Sequence, residues 1–225
     1  MGRGAAAAAV AAAVRLSEVR VSIFPLPGAI LFPGLQLPLH IFEPRYKALI
    51  KDALARDRRI GMIQPRTANQ DKAADDGAPL YQIGCLGKIG EFEALDDGRY
   101  NLVLEGQARF RVTRELDVAT PFRQVEAELL SEEDHPALAA IERAGFEREA
   151  RRFADAQGYS VDWDAVARLD DESLIDGVSQ IAPFDAAAKQ ALLEADGLSE
   201  RCELLVQLMQ FFGRRDNDDG RVTLQ

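Results

Sequence analysis

Residues 24–46 read FPLPGAILFPGLQLPLHIFEPRY, and the punctuation of this stretch decides how the first half of the chain folds. An extended segment, Val21 to Phe24, runs into Pro25-Leu26-Pro27-Gly28, where two prolines and a glycine force a turn. The short apolar run Ala29 to Phe32 is stopped by a second turn at Pro33-Gly34. Leu35 to Phe42 then reads as a strand; Pro38 inside it has no N–H to give to a ladder, which predicts a sheet edge or a bulge. Glu43-Pro44 opens a helix, because proline at the first helical position lacks only an N–H that would have no helical partner anyway. Tyr46, Leu49, Ile50 and Leu54 recur at spacings of three and four, so the helix is amphipathic and runs from Pro44 to about Ala55.

Outward from this stretch the signals remain those of strands and turns as far as Leu130. Arg59 to Ile63 reads as a strand, 66–79 as a polar loop, and Leu80 to Leu95 as further strand containing Gly84, Gly87 and Gly90. Asp97-Gly98 marks a hairpin, after which Tyr100, Leu102 and Leu104 alternate with polar neighbours, the period of a half-buried strand. Gly106 is expected to break that run, with Phe110 and Val112 continuing it beyond. Val125, Ala127 and Leu129 alternate once more after a turn at Thr120-Pro121, giving six or seven strands around one helix.

The pattern changes at Ser131-Glu132-Glu133-Asp134-His135-Pro136. Helix-forming composition then predicts helices at about 136–156, 162–168, 171–181, 184–195 and 199–212, with Asp170 or Asp171 and Ser199 as N-caps and Pro183 and Gly197 as breaks. The last helix carries Leu204, Leu205, Leu208, Met209, Phe211 and Phe212, a broad face expected to pack in a core, with a partner or dimer surface as the alternative. The predicted fold class is therefore α+β: a β-rich, barrel-like N-terminal lobe over 19–130 and an α-helical C-terminal lobe over 131–212. An Ala-rich low-complexity extension (1–18) and a polar tail (213–225) flank them.

Composition narrows the function classes. With 37 acidic against 27 basic residues the net charge is −10, so nucleic acid and anionic membrane surfaces would be repelled and neither is an expected partner. No run of about 18 strongly apolar residues is present. Arg3 followed by Ala/Val repeats looks superficially like a signal peptide, but alanine makes a weak apolar core for one. Cys85 and Cys202, 117 positions apart and outside any C-x-x-C pair, read as reduced core thiols of a cytoplasmic protein.

Catalytic patterns fail on inspection. Gly84 to Gly90 has neither the Walker A spacing nor its hydroxyl, and it misses the dinucleotide pattern because position 86 is leucine. Its glycines are expected to permit close strand packing or bulges. Gly177-Val178-Ser179-Gln180-Ile181 lacks the closing glycine of a nucleophile elbow and reads as helix interior. His40 and His135 are the only histidines and neither lies at metal-ligand spacing with a cysteine. The acidic pairs Asp75-Asp76, Asp96-Asp97 and Asp170-Asp171 coincide with turns or helix starts, where carboxylates cap N–H groups. No catalytic residue, cofactor site or metal site is therefore predicted.

The ordered motifs Phe24-Pro25-Leu26-Pro27-Gly28, Leu31-Phe32-Pro33-Gly34 and Leu37 to Tyr46, with Ile83-Gly84, Asp97-Gly98 and Val103-Leu104-Glu105-Gly106-Gln107-Ala108-Arg109-Phe110, resemble the Lon protease N-terminal, substrate-binding domain family across about 19–212. Lon's ATPase module needs a phosphate loop and its peptidase module a Ser–Lys dyad. Neither is found in this chain, so the resemblance implies a stand-alone bacterial Lon N-domain protein: a non-catalytic module for unfolded or tagged polypeptides. Phe42 and Tyr46, with a groove between the lobes, are the candidate polypeptide contacts. The matching residues Pro25, Pro27, Gly28, Phe32, Pro33, Gly34, Pro38, His40, Glu43, Pro44, Arg45, Gly84, Gly106 and Arg109 are expected to shape the scaffold. Three alternatives follow from the same residues: a small-molecule site or enzyme in an inter-lobe cleft that includes His40, an adaptor docking on a protease or chaperone through the last helix, and a homo-oligomer.

Overall fold

Alternation along the strands builds a ring. The structure is a computed structural model that describes residues 18–66, 77–131 and 137–219, with side chains to residue 213. Its strands are β1 (Glu18–Pro25), β2 (Gln36–Ile41), β3 (Arg59–Ile63), β4 (Ile83–Ala94), β5 (Tyr100–Glu115) and β6 (Gln124–Leu129). The helices are α1 (Pro44–Leu54), α2 (Ala140–Gln157), α3 (Trp163–Val166), α4 (Asp171–Ile181), α5 (Ala186–Glu194) and α6 (Leu198–Asp219). The long strand β5 organises the sheet. Its first part pairs antiparallel with β2, from Ile41↔Tyr100 to Gln36↔Glu105, and its last part with β6, from Phe110↔Leu129 to Glu115↔Val125. Along its other edge runs β4. Because β6 also pairs with β1, β1 with β3 and β3 with β4, the path β5-β4-β3-β1-β6 closes on itself and β2 hangs on the projecting part of β5. Register shifts at Leu86/Gly87 and Val112/Arg114 supply the local bends that closure requires.

Every strand of the ring sends apolar side chains to one cluster: Val21 and Ile23, Ile63, Leu86, Phe110, Val125 and Ala127. This is the barrel interior. The opposite faces of β1, β3 and β4, joined by β2, pack under α1 through Phe24, Ile41, Leu49, Ile50, Ile60, Met62, Cys85 and Leu104. Pro38 lies opposite Val103 on the edge strand, where its missing N–H is harmless. Both cysteines are free and buried.

The apolar run before β2 is a buried loop rather than a strand. Leu31 joins the α1 cluster, while Ile30 and Phe32 join the core of the helical lobe with Phe146, Phe153, Leu174, Ile175, Leu192, Leu205 and Met209. One loop thus fills two cores. Its path explains Gly106, which lies inside β5 rather than ending a strand. A Cβ there would collide with the carbonyl group of Phe32, and Gly106 and its neighbours instead pair with the loop, Gly106 N–H donating to Leu35 at 2.8 Å and Gly34 N–H donating to Gly106 at 3.0 Å. Gly84 is equally constrained, by Phe110 and the Met62 carbonyl.

Polar groups, most of them buried, fasten the lobes. Arg109 on β5 donates through Nη1 to the carbonyls of Leu193 (2.9 Å) and Ala195 (2.6 Å) at the end of α5. Gln190 donates to the Ile83 carbonyl at 3.1 Å, and Gln180 accepts from Phe32 N–H at 3.0 Å while donating to the Gln36 carbonyl at 2.8 Å. Beneath them Arg201 pairs with Asp176 at 2.6 Å and donates to the Leu192 carbonyl at 3.0 Å. Guanidinium groups at the carbonyl end of α5 also complement the helix dipole.

The helical lobe departs from expectation at three points. Helix α2 starts at Ala140, and α6 continues to Asp219 through the beginning of the expected polar tail. Ser199 is not an N-cap: the Gly197 carbonyl accepts the Arg201 N–H, which sets Ser199 inside the first turn, and its hydroxyl donates to Glu142. Asp170 does cap α4, accepting from Ser173 N–H at 2.8 Å. The apolar face of α6 is largely in the core, with Leu205 and Met209 buried and Leu204, Leu208 and Phe212 packed against them, while Phe211 is exposed. Residues 1–17, His135, Asp75-Asp76 and Glu132-Glu133-Asp134 lie outside the described residues.

Candidate functional site

The corner where β2 passes into α1 separates the two candidate contact residues. Glu43 is extended, Pro44 occupies the first turn, and the Lys47 N–H donates to the Glu43 carbonyl at 2.9 Å, so α1 begins abruptly after Phe42. That abruptness leaves Phe42 60% exposed. Tyr46, one turn into the helix, points the other way: it is 6% exposed, its ring lies 4.1 Å from that of Phe24, and its hydroxyl donates to the Pro25 carbonyl at 3.1 Å. Arg45 covers the tyrosine ring at 4.5 Å and donates to the Glu43 carboxylate at 3.0 Å. Tyr46 is therefore a packing residue of the corner, and Phe42 alone of the two is presented to solvent.

Beside Phe42 the outer face of β2, β5 and β4 holds a shallow groove of about 460 Å³, walled by Pro38, Phe92 and Val103 and crossed by polar side chains. The His40 ring stands 6.3 Å from that of Phe42. Arg99 can only donate, so its contact with His40 Nε2 (3.2 Å) leaves the proton on Nδ1, which donates to Asn101 Oδ1 at 2.7 Å. Asn101 in turn donates to Glu93 at 3.2 Å. Arg99 also pairs with Asp97, whose carboxyl its side chain and N–H hold below the usual carboxylate range. The chain of donors ties three strands together and gives the groove a fixed polar floor.

Other motif residues lie in turns or in packed positions. Gly28 and Gly34 adopt positive φ in their turns, and Gly28 N–H donates to the side chain of Gln64 at 2.8 Å. Pro25, Pro27 and Pro33 frame those turns, Phe32 is fully buried, and Arg109 reaches the helical lobe. Gln64 escaped the sequence reading: buried at the end of β3, it also donates to the carbonyls of Leu26 and Ala29. Its signal was a single polar residue closing an apolar strand. Arg201 and Asp176 were missed similarly, although each interrupts an apolar helix face.

The lobe junction is packed by Phe32, Arg109, Gln190 and Arg201, each at most 2% exposed. At these four positions the junction is filled rather than open. Ser179 lies fully buried inside α4, its hydroxyl donating to the Ile175 carbonyl at 2.7 Å, which is incompatible with a nucleophile elbow. Burial pushes the Cys85 thiol far up and the Cys202 thiol up to about 11, so neither supplies a thiolate near neutral pH. Among the described residues no group of three His, Cys, Asp or Glu side chains could hold a metal ion, and no helix is long and apolar enough to cross a membrane.

The family described as "ATP-dependent protease La (LON) substrate-binding domain" matches residues 20–210. The chain belongs to the Lon substrate-binding domain family. Lon protease 2 of Myxococcus xanthus is 30% identical over 196 residues, 83% of this chain and 23% of that protein. Lon protease 2 of Herpetosiphon aurantiacus is 27% identical over 198 residues, again 23% of its length. The chain thus spans about a quarter of the curated Lon proteases it matches. Two solved structures share the fold: a Lon N-terminal domain protein from Xanthomonas campestris (TM-score 0.64, 21% identity, 84% of this chain and 98% of that one) and the N-terminal domain of Mycobacterium avium complex Lon protease (TM-score 0.66, 19% identity, 85% and 98%). The ring of strands followed by a helical lobe is the architecture of this Lon domain.

Proposed function

We propose that this chain is a non-catalytic polypeptide-binding module that takes extended segments of unfolded or tagged proteins through the surface around Phe42. The observation that carries this reading is the exposed Phe42 ring beside an apolar-walled groove, in a family described by substrate binding. An extended chain can lay one apolar side chain against Phe42 and a later one against Phe92 while its backbone meets the polar groups of Arg99, His40 and Asn101 between them. Extended segments suit such a surface because a folded domain has already buried the side chains that it would capture.

The test is titration of a fluorescently labelled, permanently unfolded polypeptide, followed by anisotropy, with the folded form of the same polypeptide as control. Saturable binding of the unfolded form alone is expected. Burying the exposed part of a phenylalanine is worth about 1–2 kcal/mol, so Phe42→Ser should weaken binding about 5- to 30-fold. Absence of binding up to about 100 μM, which corresponds to about −5.5 kcal/mol, overturns the reading.

A further inference from the structure

The barrel is incompletely zipped at one seam. Strand β1 pairs with β6 from Glu18 to Ser22, but with β3 only from Ile23 onward, through Ile23↔Gly61, Phe24↔Met62 and Pro25↔Ile63. Ile23 N–H donates to the Arg123 carbonyl on the β6 side at 3.0 Å. Because backbone groups alternate sides along an antiparallel strand, those of Val21 and Val19 also face β6, and those of Ser22 and Arg20 face the seam. A cavity of about 520 Å³ opens there.

Its wall and its rim differ in character. Val19, Val21, Leu86 and Leu129, all from the barrel-interior cluster, form the apolar wall. The rim carries Arg20, Arg56 and Arg59 with Asp52 and Asp57. Most of these charges are engaged. Arg20 donates to Gln124 at 2.5 Å, Arg56 to Asp52 at 3.4 Å, and Asp57 accepts the backbone N–H of Arg59 at 3.2 Å. The guanidinium of Arg59 has no hydrogen-bond or ion-pair partner among the described residues. Moreover, the ladder sets Arg59 directly opposite Lys88, a like-charged pair of the kind that destabilises a sheet, although Glu105 flanks Lys88 on its other side. In a chain of net charge −10 this is a local excess of positive charge at the mouth of an apolar cavity.

We propose that this seam binds the C-terminal end of an extended polypeptide, with the α-carboxylate on Arg59 and the last, apolar side chain against the barrel-interior wall. The inference rests on the polypeptide-binding reading and names the part of the substrate that is recognised. One carboxylate matches one guanidinium in a two-bonded fork. The backbone groups of Arg20 and the N–H of Ser22, whose carbonyl is already used by Gly61 in the parallel ladder, can extend the sheet onto the incoming chain, a feature that a fatty acid could not use. Asp52 and Asp57 on the rim disfavour a doubly charged phosphate.

The experiment compares a labelled unstructured ten-residue peptide ending in leucine, as free acid and as amide, on the wild-type chain and on Arg59→Gln. Arg59 is exposed and faces Lys88, so the variant should not lower the unfolding midpoint. The free acid is expected to bind about tenfold more tightly than the amide, as for a hydrogen bond to a charged group. Arg59→Gln should remove that ratio while leaving amide binding unchanged, and an aspartate in place of the terminal leucine should weaken binding to both proteins. Equal affinity for acid and amide overturns the proposal, as does a ratio that survives Arg59→Gln or a short-chain fatty acid that competes as well as the peptide. Phe42→Ser separates this inference from the reading beneath it. If that variant loses long amidated polypeptides but keeps the acid-to-amide ratio, both stand; if it loses nothing while the ratio holds, the Phe42 surface falls and the seam remains.

Discussion

Replacing Arg109 with methionine should loosen one lobe from the other. The side chain is 2% exposed, and its Nη1 donates to two carbonyls, Leu193 at 2.9 Å and Ala195 at 2.6 Å, that close the end of α5. Hydrogen bonds from a charged donor are worth about 1.5–3 kcal/mol each, so the gross loss is about 3–6 kcal/mol. Methionine keeps part of the apolar stem and relieves the desolvation of a buried charge, which offsets some of this and leaves a net of about 2–4 kcal/mol. Against a total stability of about 5–15 kcal/mol that is a large fraction. The single tryptophan, Trp163, lies in α3 of the helical lobe with Arg151 over its ring at 4.3 Å, so its emission reports on that lobe, while far-ultraviolet circular dichroism reports on both. In urea the two signals should coincide for the wild type. In Arg109→Met the emission midpoint should fall by about 1–2 M, taking m as about 2 kcal/mol/M, and should precede the circular dichroism change. A shift under about 0.3 M with coincident signals would mean that apolar contact alone holds the lobes together and that the Arg109 bonds do not.

Other consequences are simpler. Gly106→Ala should lower the thermal midpoint by an amount equivalent to about 3 kcal/mol, because the obstacle is the Phe32 backbone carbonyl, which cannot rotate away. Asp170→Ala should destabilise by about 1 kcal/mol in urea titration through loss of the α4 cap. Hydrogen bonds from Ser173 hold the Asp170 carboxyl below its ordinary value of 3.8; the cap therefore contributes fully above that pH and is lost as pH falls through the lowered value, so the variant and the wild type should converge in strong acid. A thiol reagent at pH 8 should modify neither Cys85 nor Cys202 in the native protein and both in urea; fast labelling of either would contradict their burial.

Whatever depends on neighbours along the chain is legible in the sequence. The turns at Gly28, Gly34 and Gly98, the Pro44 helix start, the Asp170 cap and the alternation of β5 are settled by φ preferences and side-chain period within a few residues. The same local logic placed His40 on the face opposite Leu39 and Ile41, and kept Ser179 inside a helix. Where the sequence reading failed, the deciding partner was distant. Gly106 reads locally as a break in the strand because the loop that forbids its Cβ lies more than 70 residues earlier. Arg109 reads as a scaffold residue from its motif, yet its carbonyl partners, 84 and 86 residues away, are not legible beside it. Phe42 and Tyr46 are four positions apart at one corner, and only the packing of α1 on Phe24 buries one ring and exposes the other. The open seam at β1 is likewise invisible in any window of sequence, since it arises where two strands paired elsewhere stop pairing with each other. Local preference chose the elements; closing the ring and seating the loop between two cores chose which side chains remain available to a partner.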